Sequence, residues 1–419
     1  MKSKKLFRVL TRFLTMALIV TTVSCGNVSK TKVDKKMIGK TGNETYITNV
    51  KASKGGTTVI SMSDSDNDYR ADIKSFDDYG LDYVIDYNND RELKILQLTD
   101  TQIIDASQRR TPERLSQREI TMWAASSMDA MVFDPMQEII DKAQPDLILL
   151  TGDLIYGEFD DNGTSMEAFV AFMEKQKILW APVFGNHDNE SLKGIAWQCE
   201  QFENATYCLF KQRHEIGGNG NYNIGLSKNG KLGRVIYMLD SNGCSYWPDP
   251  DMTSAIGFIS TQEDWYRNTQ LKVNEVAGKT IPSMLAYHIP TKEVLYAASE
   301  AGYQEGYDDA SFNYEIGYDT AVKNGDSGRK QEMFSAFRSP TLLNYLIECG
   351  ADGTFFGHCH KISTSVLYKD IRWTFGLKTG YYDYHDTITG GTLITVSKDL
   401  QEFTVEQIVN KEHLEPVIQ

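Results

Sequence analysis

Asn186, His187 and Asp188 stand side by side in Gly185-Asn186-His187-Asp188. Together they offer an amide oxygen that can ligate a metal, an imidazole for proton or charge chemistry, and a carboxylate that can orient the ring. Alone the tetrapeptide says little, because Gly-Asn also makes turns. Four further blocks carry side chains of the same kind: Asp100 with Gln102, Asp153, His288, and His358 with His360. The chain has seven histidines, and most of them fall in these blocks. A single buried histidine is readily explained as a core residue with its hydrogen bond satisfied. Five such blocks in chain order are hard to explain as packing.

Each block directly follows an apolar run of strand length: Glu92 to Leu98, Leu147 to Leu150, Ile178 to Phe184, Ser283 to Tyr287, and Thr354 to Phe356. Helices are expected between them. Thr111-Pro112 and Asp134-Pro135 each read as an N-cap followed by Pro at the first helical position. Thr164 and Glu167 form a capping-box pattern ahead of an apolar face of Met166, Phe169, Val170 and Met173. Further helices are expected over Thr261 to Val276, with Trp265 on the inner face, and from Ser339-Pro340 to Gly350. The polar stretches Asn189 to Gly233 and Tyr303 to Gly328 read as rim loops, and the chain from Ser363 alternates like antiparallel strands. Strand and helix in this rhythm predict an α/β fold with its chemistry at the strand ends.

The N-terminus has a different grammar. Lys2, Lys4, Lys5, Arg8 and Arg12 precede the apolar stretch Phe13 to Val23, which is too short to span a bilayer and reads as a secretory signal. The junction Thr22-Val23-Ser24-Cys25-Gly26 resembles a bacterial lipobox, implying a signal peptide over 1–25, a lipid on Cys25 that holds the chain to the membrane, and an extracytoplasmic site at a bacterial cell envelope. An uncleaved anchor is the competing reading. Residues 26–56 read as a flexible tether, 57–92 as a small N-terminal β extension, and 93–419 as the main domain. With 41% apolar and 11% aromatic residues the core is ample, and a net charge of −14 argues against an extended nucleic-acid surface. Cys199 and Cys208 are candidates for a disulfide, with free thiols the alternative.

The ordered set Asp-x-Gln, Gly-Asp-Leu, Gly-Asn-His-Asp, His-Ile-Pro and Gly-His-x-His resembles the calcineurin-like metallophosphoesterase superfamily. Tyr287-His288-Ile289-Pro290 and the run Lys378-Thr379-Gly380-Tyr381-Tyr382-Asp383-Tyr384 are similar to its purple-acid-phosphatase-like branch. The resemblance implies a four-layer sandwich, two central mixed β-sheets flanked by helices. It implies two divalent or trivalent metal ions, Fe, Mn or Zn, bridged by Asp153. The first would also take Asp100 and His360, the second Asn186, His288 and His358, and His187 would serve the leaving group. Asp188 is expected, from adjacency, to hold the His187 ring. The family commonly has His where this chain has Gln102, whose amide oxygen would ligate or hold a metal-bound water. Tyr156 is a candidate ligand or a stacking residue.

Two cations about 3.5–4 Å apart activate water and clamp an in-line displacement at phosphorus, and His187 can protonate the leaving alkoxide. The expected function is therefore hydrolysis of a small phosphorylated substrate. Tyr222, Tyr246, Trp247 and Tyr381 offer possible stacking surfaces for it, with loop packing as the alternative. A non-catalytic metal- or ligand-binding lipoprotein on the same fold is the competing class. A serine hydrolase is disfavoured because no Gly-x-Ser-x-Gly motif occurs.

Overall fold

The computed structural model describes residues 72–107, 127–245, 257–301, 341–382 and 388–410, with 39–40, 46–52, 56–63 and short pieces of 117–123, 253–255, 305–316 and 333–339. The expected signal segment, the helix start at Thr111-Pro112, and Tyr246 and Trp247 lie outside these described residues. Among the described residues no helix is long and apolar enough to cross a membrane.

Two mixed sheets carry the fold, with strands numbered along the chain. The larger runs, in spatial order, β1 (Gly39–Lys40), β2 (Tyr46–Ala52), β3 (Thr58–Ser63), β4 (Tyr83–Asn88), β8 (Tyr222–Lys228), β9 (Lys231–Met238), β12 (Ser283–Ala286), β16 (Ala351–Phe356), β18 (Ile371–Phe375), β17 (Ser365–Tyr368). The smaller runs β20 (Phe403–Val409), β19 (Gly390–Val396), β5 (Leu93–Leu98), β6 (Leu147–Thr151), β7 (Leu179–Val183). Two small sheets add β10 (Gly243–Ser245) with β11 (Thr253–Ala255), and β13 (Glu305–Tyr307), β14 (Asn313–Ile316) and β15 (Met333–Ser335).

Side-chain alternation along the larger sheet shows the layering, because successive residues of a strand point to opposite faces. Ile236, Met238, Met284 and Phe355 join one core with the strands of the smaller sheet and the helices Asp134–Ala143, Thr164–Gln176 and Gly194–Asn204. Their neighbours Val235, Tyr237, Leu285 and Phe356 face a second core, closed by helices Ser260–Ala277, Glu293–Ala301 and Leu342–Cys349. The result is the expected metallophosphoesterase sandwich of helices, sheet, sheet and helices.

Parallel pairing decides where the strand ends lie. β5, β6 and β7 are parallel neighbours, with Leu96 opposite Ile148 and Ile148 opposite Trp180. β12 runs parallel to both β9 and β16. Within each sheet the site-bearing strands therefore deliver their carboxyl ends to one edge. Gln97, buried in β5, ties the two edges together by donating from Nε2 to Thr151 Oγ1 at 2.9 Å and to the Phe356 carbonyl at 3.1 Å.

Several expectations are corrected. The sequence places Tyr46–Ala52 in a tether, but it pairs with β3 in the larger sheet; β3 and β4, within the β element expected to lean on the main domain, continue that sheet, β3 pairing parallel with β4 and β4 with β8. Asp134 is not an N-cap, because a π-helical turn, Asp129–Phe133, runs straight into the helix. Thr164 is not one either. Gly163 caps that helix in the left-handed region, Asp161 accepts from the Gly163 N–H at 2.9 Å, and the Thr164 hydroxyl bonds to Asp105. The expected rim loop Asn189 to Gly233 contains helix Gly194–Asn204, β8 and the start of β9, and the second loop contains β13 and β14. In helix Ser260–Ala277 Trp265 does face inward, half-buried on the second core beside Tyr237, and its neighbour Tyr266 is fully buried. Tyr222 and Tyr381 are buried, and the Tyr222 hydroxyl donates to the Pro182 carbonyl at 2.7 Å, so neither is a stacking surface. Cys199 and Cys208 are buried thiols without a disulfide.

Candidate metal centre

The five blocks converge. Asp153, His288 and His358 bring one donor atom each to within 4.8 Å of one another, and so do Asp100, Asp153 and His360. Asp153 belongs to both groups, which is the geometry of a carboxylate bridging two ions.

Backbone conformation at the strand ends produces this convergence. Asp100 (φ 53°), Asp153 (φ 51°) and His358 (φ 73°) sit in the left-handed region, as does Gln102 (φ 46°). Such conformations are uncommon outside glycine and cluster at functional sites. The chain turns sharply after β5, β6 and β16, and cross-strand bonds hold the first of these turns: the Asp100 N–H donates to the Gly152 carbonyl at 3.0 Å and the Gln102 N–H to the Asp153 carbonyl at 2.9 Å. Two glycines permit the close approach. A Cβ on Gly185 would collide with the Asp153 carboxylate, and one on Gly357 with the Thr99 hydroxyl and Asp100 Oδ2.

On one side of Asp153, His288 Nε2 lies 3.3 Å from Asp153 Oδ2 and 3.1 Å from Asn186 Oδ1. The Thr151 carbonyl can only accept, so at 2.7 Å it fixes the hydrogen on His288 Nδ1 and turns Nε2 toward the acidic donors. His358 Nδ1 is 2.8 Å from Asn186 Oδ1. On the other side, His360 Nε2 is 3.2 Å from Asp100 Oδ1, a buried atom with no hydrogen-bond partner. Asp100 Oδ2 is already satisfied by the Thr99 hydroxyl at 2.7 Å and the His358 N–H at 3.0 Å. A buried carboxylate oxygen left over beside an imidazole, with Asp153 shared, fits a pair of first-row cations.

The electrostatics agree. Burial works to raise the Asp100 carboxyl, but the close His360 imidazole and then the charge of His288 outweigh it and hold it at about 2. Burial is likewise overcome at Asp153 by the charges of His288 and His187, and its carboxyl lies well below the usual range. Burial, then the charge of His288, pushes His358 down to about 3, leaving the neutral imidazole that a metal requires. Burial disfavours the charged form of His288, but Asp153 more than compensates and lifts it to about 9. The acidic cluster thus draws in positive charge, which a bound cation supplies in place of that proton.

Asp188 does not hold the His187 ring. Its Oδ1 accepts from the Leu154 and Ile155 N–H groups at 2.8 and 3.2 Å, and its Oδ2 from the Gly185 N–H at 2.6 Å. It pins the Asp153 loop to the Asn186 loop, and burial with the nearby Asp153 charge pushes its carboxyl up to about 7. The ring partner is Glu190, which sequence reasoning missed: Oε1 lies 2.6 Å from His187 Nδ1, while Oε2 accepts from the Gly157 and Glu158 N–H groups at 2.8 and 2.7 Å. A signal existed, since a 3-10 turn over Asp188–Glu190 brings positions three apart together. Tyr156 packs on the His187 ring at 4.7 Å and against Trp123 at 5.7 Å, the stacking role of its two candidates. Gln102 Oε1, the amide oxygen expected to ligate, accepts from Lys378 Nζ at 2.6 Å.

The calcineurin-like phosphoesterase profile matches residues 93–361 of this chain. The chain is 30% identical over 181 residues to Phosphatase DCR2 of Saccharomyces cerevisiae, covering 39% of this chain and 30% of the yeast protein. It is 29% identical over 315 residues to Probable inactive purple acid phosphatase 29 of Arabidopsis thaliana, covering 70% of this chain and 73% of that one. It therefore spans less than a third of the yeast relative's length. Among solved structures it is similar to a dimetal phosphatase from Danio rerio, at 10% identity and a TM-score of 0.44, covering 76% of this chain and 99% of that one.

Proposed function

The chain belongs to the calcineurin-like phosphoesterase family, and from that premise we propose that it is a dinuclear-metal phosphoesterase acting on a small phosphorylated substrate outside the cytoplasm. The observation that carries the reading is the pair of donor groups sharing Asp153. Asp100 and His360 complete one site, and Asn186, His288 and His358 the other. Fe, Mn and Zn all suit such nitrogen and oxygen donors. When bound, the two ions supply Lewis acidity to the phosphoryl oxygens and activate the attacking water.

The chain's own residues do the rest. Glu190, held by two backbone N–H groups, accepts from His187 Nδ1 and stabilises the imidazolium, so Nε2 is the nitrogen that gives a proton to the leaving oxygen. Tyr156 fixes the ring plane. Asp188 keeps the two loops in register. Assignment to the purple-acid-phosphatase-like branch is supported by the Arabidopsis relative. The proposed location, and attachment through a lipid on Cys25, rest on the N-terminal sequence alone.

A second reading, a metal-binding protein without turnover, is favoured by one observation: Lys378 occupies the Gln102 amide oxygen and leaves the first ion three protein donors. The Arabidopsis relative's name, probable inactive, agrees with it. Hydrolysis of chromogenic phosphate mono- and diesters, before and after chelation, separates the two. Chelator-sensitive turnover restored by Mn, Fe or Zn is expected, and metal binding without turnover on either ester class would favour the second reading.

A further inference from the structure

Gln102 stands where the family pattern places a metal-ligating side chain, and the geometry gives it a different task. Lys378 Nζ donates to Gln102 Oε1 at 2.6 Å and to the Asp100 carbonyl at 2.9 Å. An ammonium has donors only, so the amide atom facing it must be the oxygen, and this fixes which way the amide points. Lys378 is itself held in place. Its carbonyl accepts from the Gly390 N–H at 2.8 Å, and the next residue, Thr379, exchanges two bonds with Thr99: the Thr99 N–H donates to Thr379 Oγ1 at 3.1 Å and the Thr379 N–H to the Thr99 carbonyl at 3.0 Å. A Cβ on Gly380 would collide with the Thr101 carbonyl. Lys378-Thr379-Gly380 thus lies as a splint along Thr99 to Gln102.

The other amide atom, Nε2, has no hydrogen-bond partner although Gln102 is fully buried. An amide nitrogen of this kind does not ligate metals, but it donates well to an anionic oxygen. Orphaned buried donors are rare in folded chains and need an explanation. This one belongs to a residue whose backbone is bonded to that of Asp153, the shared carboxylate.

We propose that Gln102 is a substrate-binding residue and not a metal ligand: its Nε2 donates to an oxygen of the phosphoryl group, and Lys378 is the positioning residue that turns the amide to do so. The proposal rests on the phosphoesterase reading of the same site. The ligand class is a tetrahedral oxyanion, an ester's phosphoryl group or the phosphate released from it. The first ion then takes Asp100, Asp153 and His360 from the chain.

The test loads the full chain with Mn and titrates first metal and then inorganic phosphate by calorimetry. Gln102→Met keeps the side-chain length and removes the donor. Expected are an unchanged metal stoichiometry and phosphate binding about 10- to 100-fold weaker, as for one lost hydrogen bond to a charged group. Gln102→His reads the role of Lys378: the ring nitrogen facing the ammonium must accept, so the other carries hydrogen and cannot ligate. Its metal titration should match the unsubstituted chain, and its phosphate affinity should recover toward it. Loss of one metal in Gln102→Met, a tighter first metal in Gln102→His, or undiminished phosphate affinity in Gln102→Met overturns the proposal. An unsubstituted chain that binds neither Mn nor phosphate overturns the phosphoesterase reading, and this inference with it, in an arm separate from the variants.

Discussion

Three carboxylates near His187 do three different jobs, and their partners decide which. Asp153 lies between imidazoles and stays ionised, Asp188 is surrounded by backbone N–H groups, and Glu190 divides itself between backbone and ring. Glu190→Gln should therefore slow turnover about 10- to 100-fold with metal content unchanged, because an amide cannot stabilise the His187 imidazolium. Steady-state kinetics with elemental analysis would check this, and a loss of metal would assign Glu190 to the metal site instead. His187→Ala should cost about 100- to 10,000-fold in turnover, the usual worth of acid catalysis. Asp188→Ala leaves three backbone donors without an acceptor and should cost about 3 kcal/mol or more in urea denaturation. The metal-competent residues were legible in sequence because their types and order are chemically restrictive. The Asp188 and Glu190 roles were not, because adjacency does not say where a side chain points. Nor was Lys378 visible as a partner for Gln102, since the two are far apart in the chain and meet only across the fold.

At the scale of elements, the site depends on strands that stop together and turn sharply. The apolar runs marked all five strands, since buried parallel strands read as continuous apolar stretches. The left-handed ends of β5, β6 and β16 are the strained part, and Gly185 and Gly357 permit the close approach beside them. Gly185→Ala should place a methyl group against the Asp153 carboxylate, lower metal affinity and cost about 1–3 kcal/mol as an overpacked substitution. A metal titration and a thermal melt would read both effects, and wild-type values in both would show that the close approach has slack. Helix starts were less legible. Thr164 has the capping-box spacing, yet Asp105 takes its hydroxyl and Asp161 takes the backbone, a tertiary choice that spacing cannot reveal. Helix Gly194–Asn204 was hidden among polar residues because it buries only Gln198, Cys199 and Phe202.

For the whole molecule, the two sheets supply opposite halves of one site, so metal binding reports on their assembly. Asp100, Asp153 and Asn186 come from the smaller sheet, His288, His358 and His360 from the larger. Ions that bind only this arrangement stabilise the fold by mass action, about 2.7 kcal/mol at a hundredfold excess over the dissociation constant. A chelator should therefore lower the melting temperature and Mn restore it. The sandwich was legible because its strand and site pattern is specific. The reach of the larger sheet into the N-terminal region was not, since Tyr46–Ala52 carries Lys and Asn among its apolar residues and gains its order by pairing with β3. Asp153 is the donor common to both groups, and its bridging of two ions can be read directly. The most direct measurement is the metal stoichiometry of the purified chain beside that of Asp153→Ala, both checked for folding by circular dichroism. A bridging Asp153 predicts two metals per chain and loss of both in the folded variant. A folded Asp153→Ala protein that still holds two metals would contradict it.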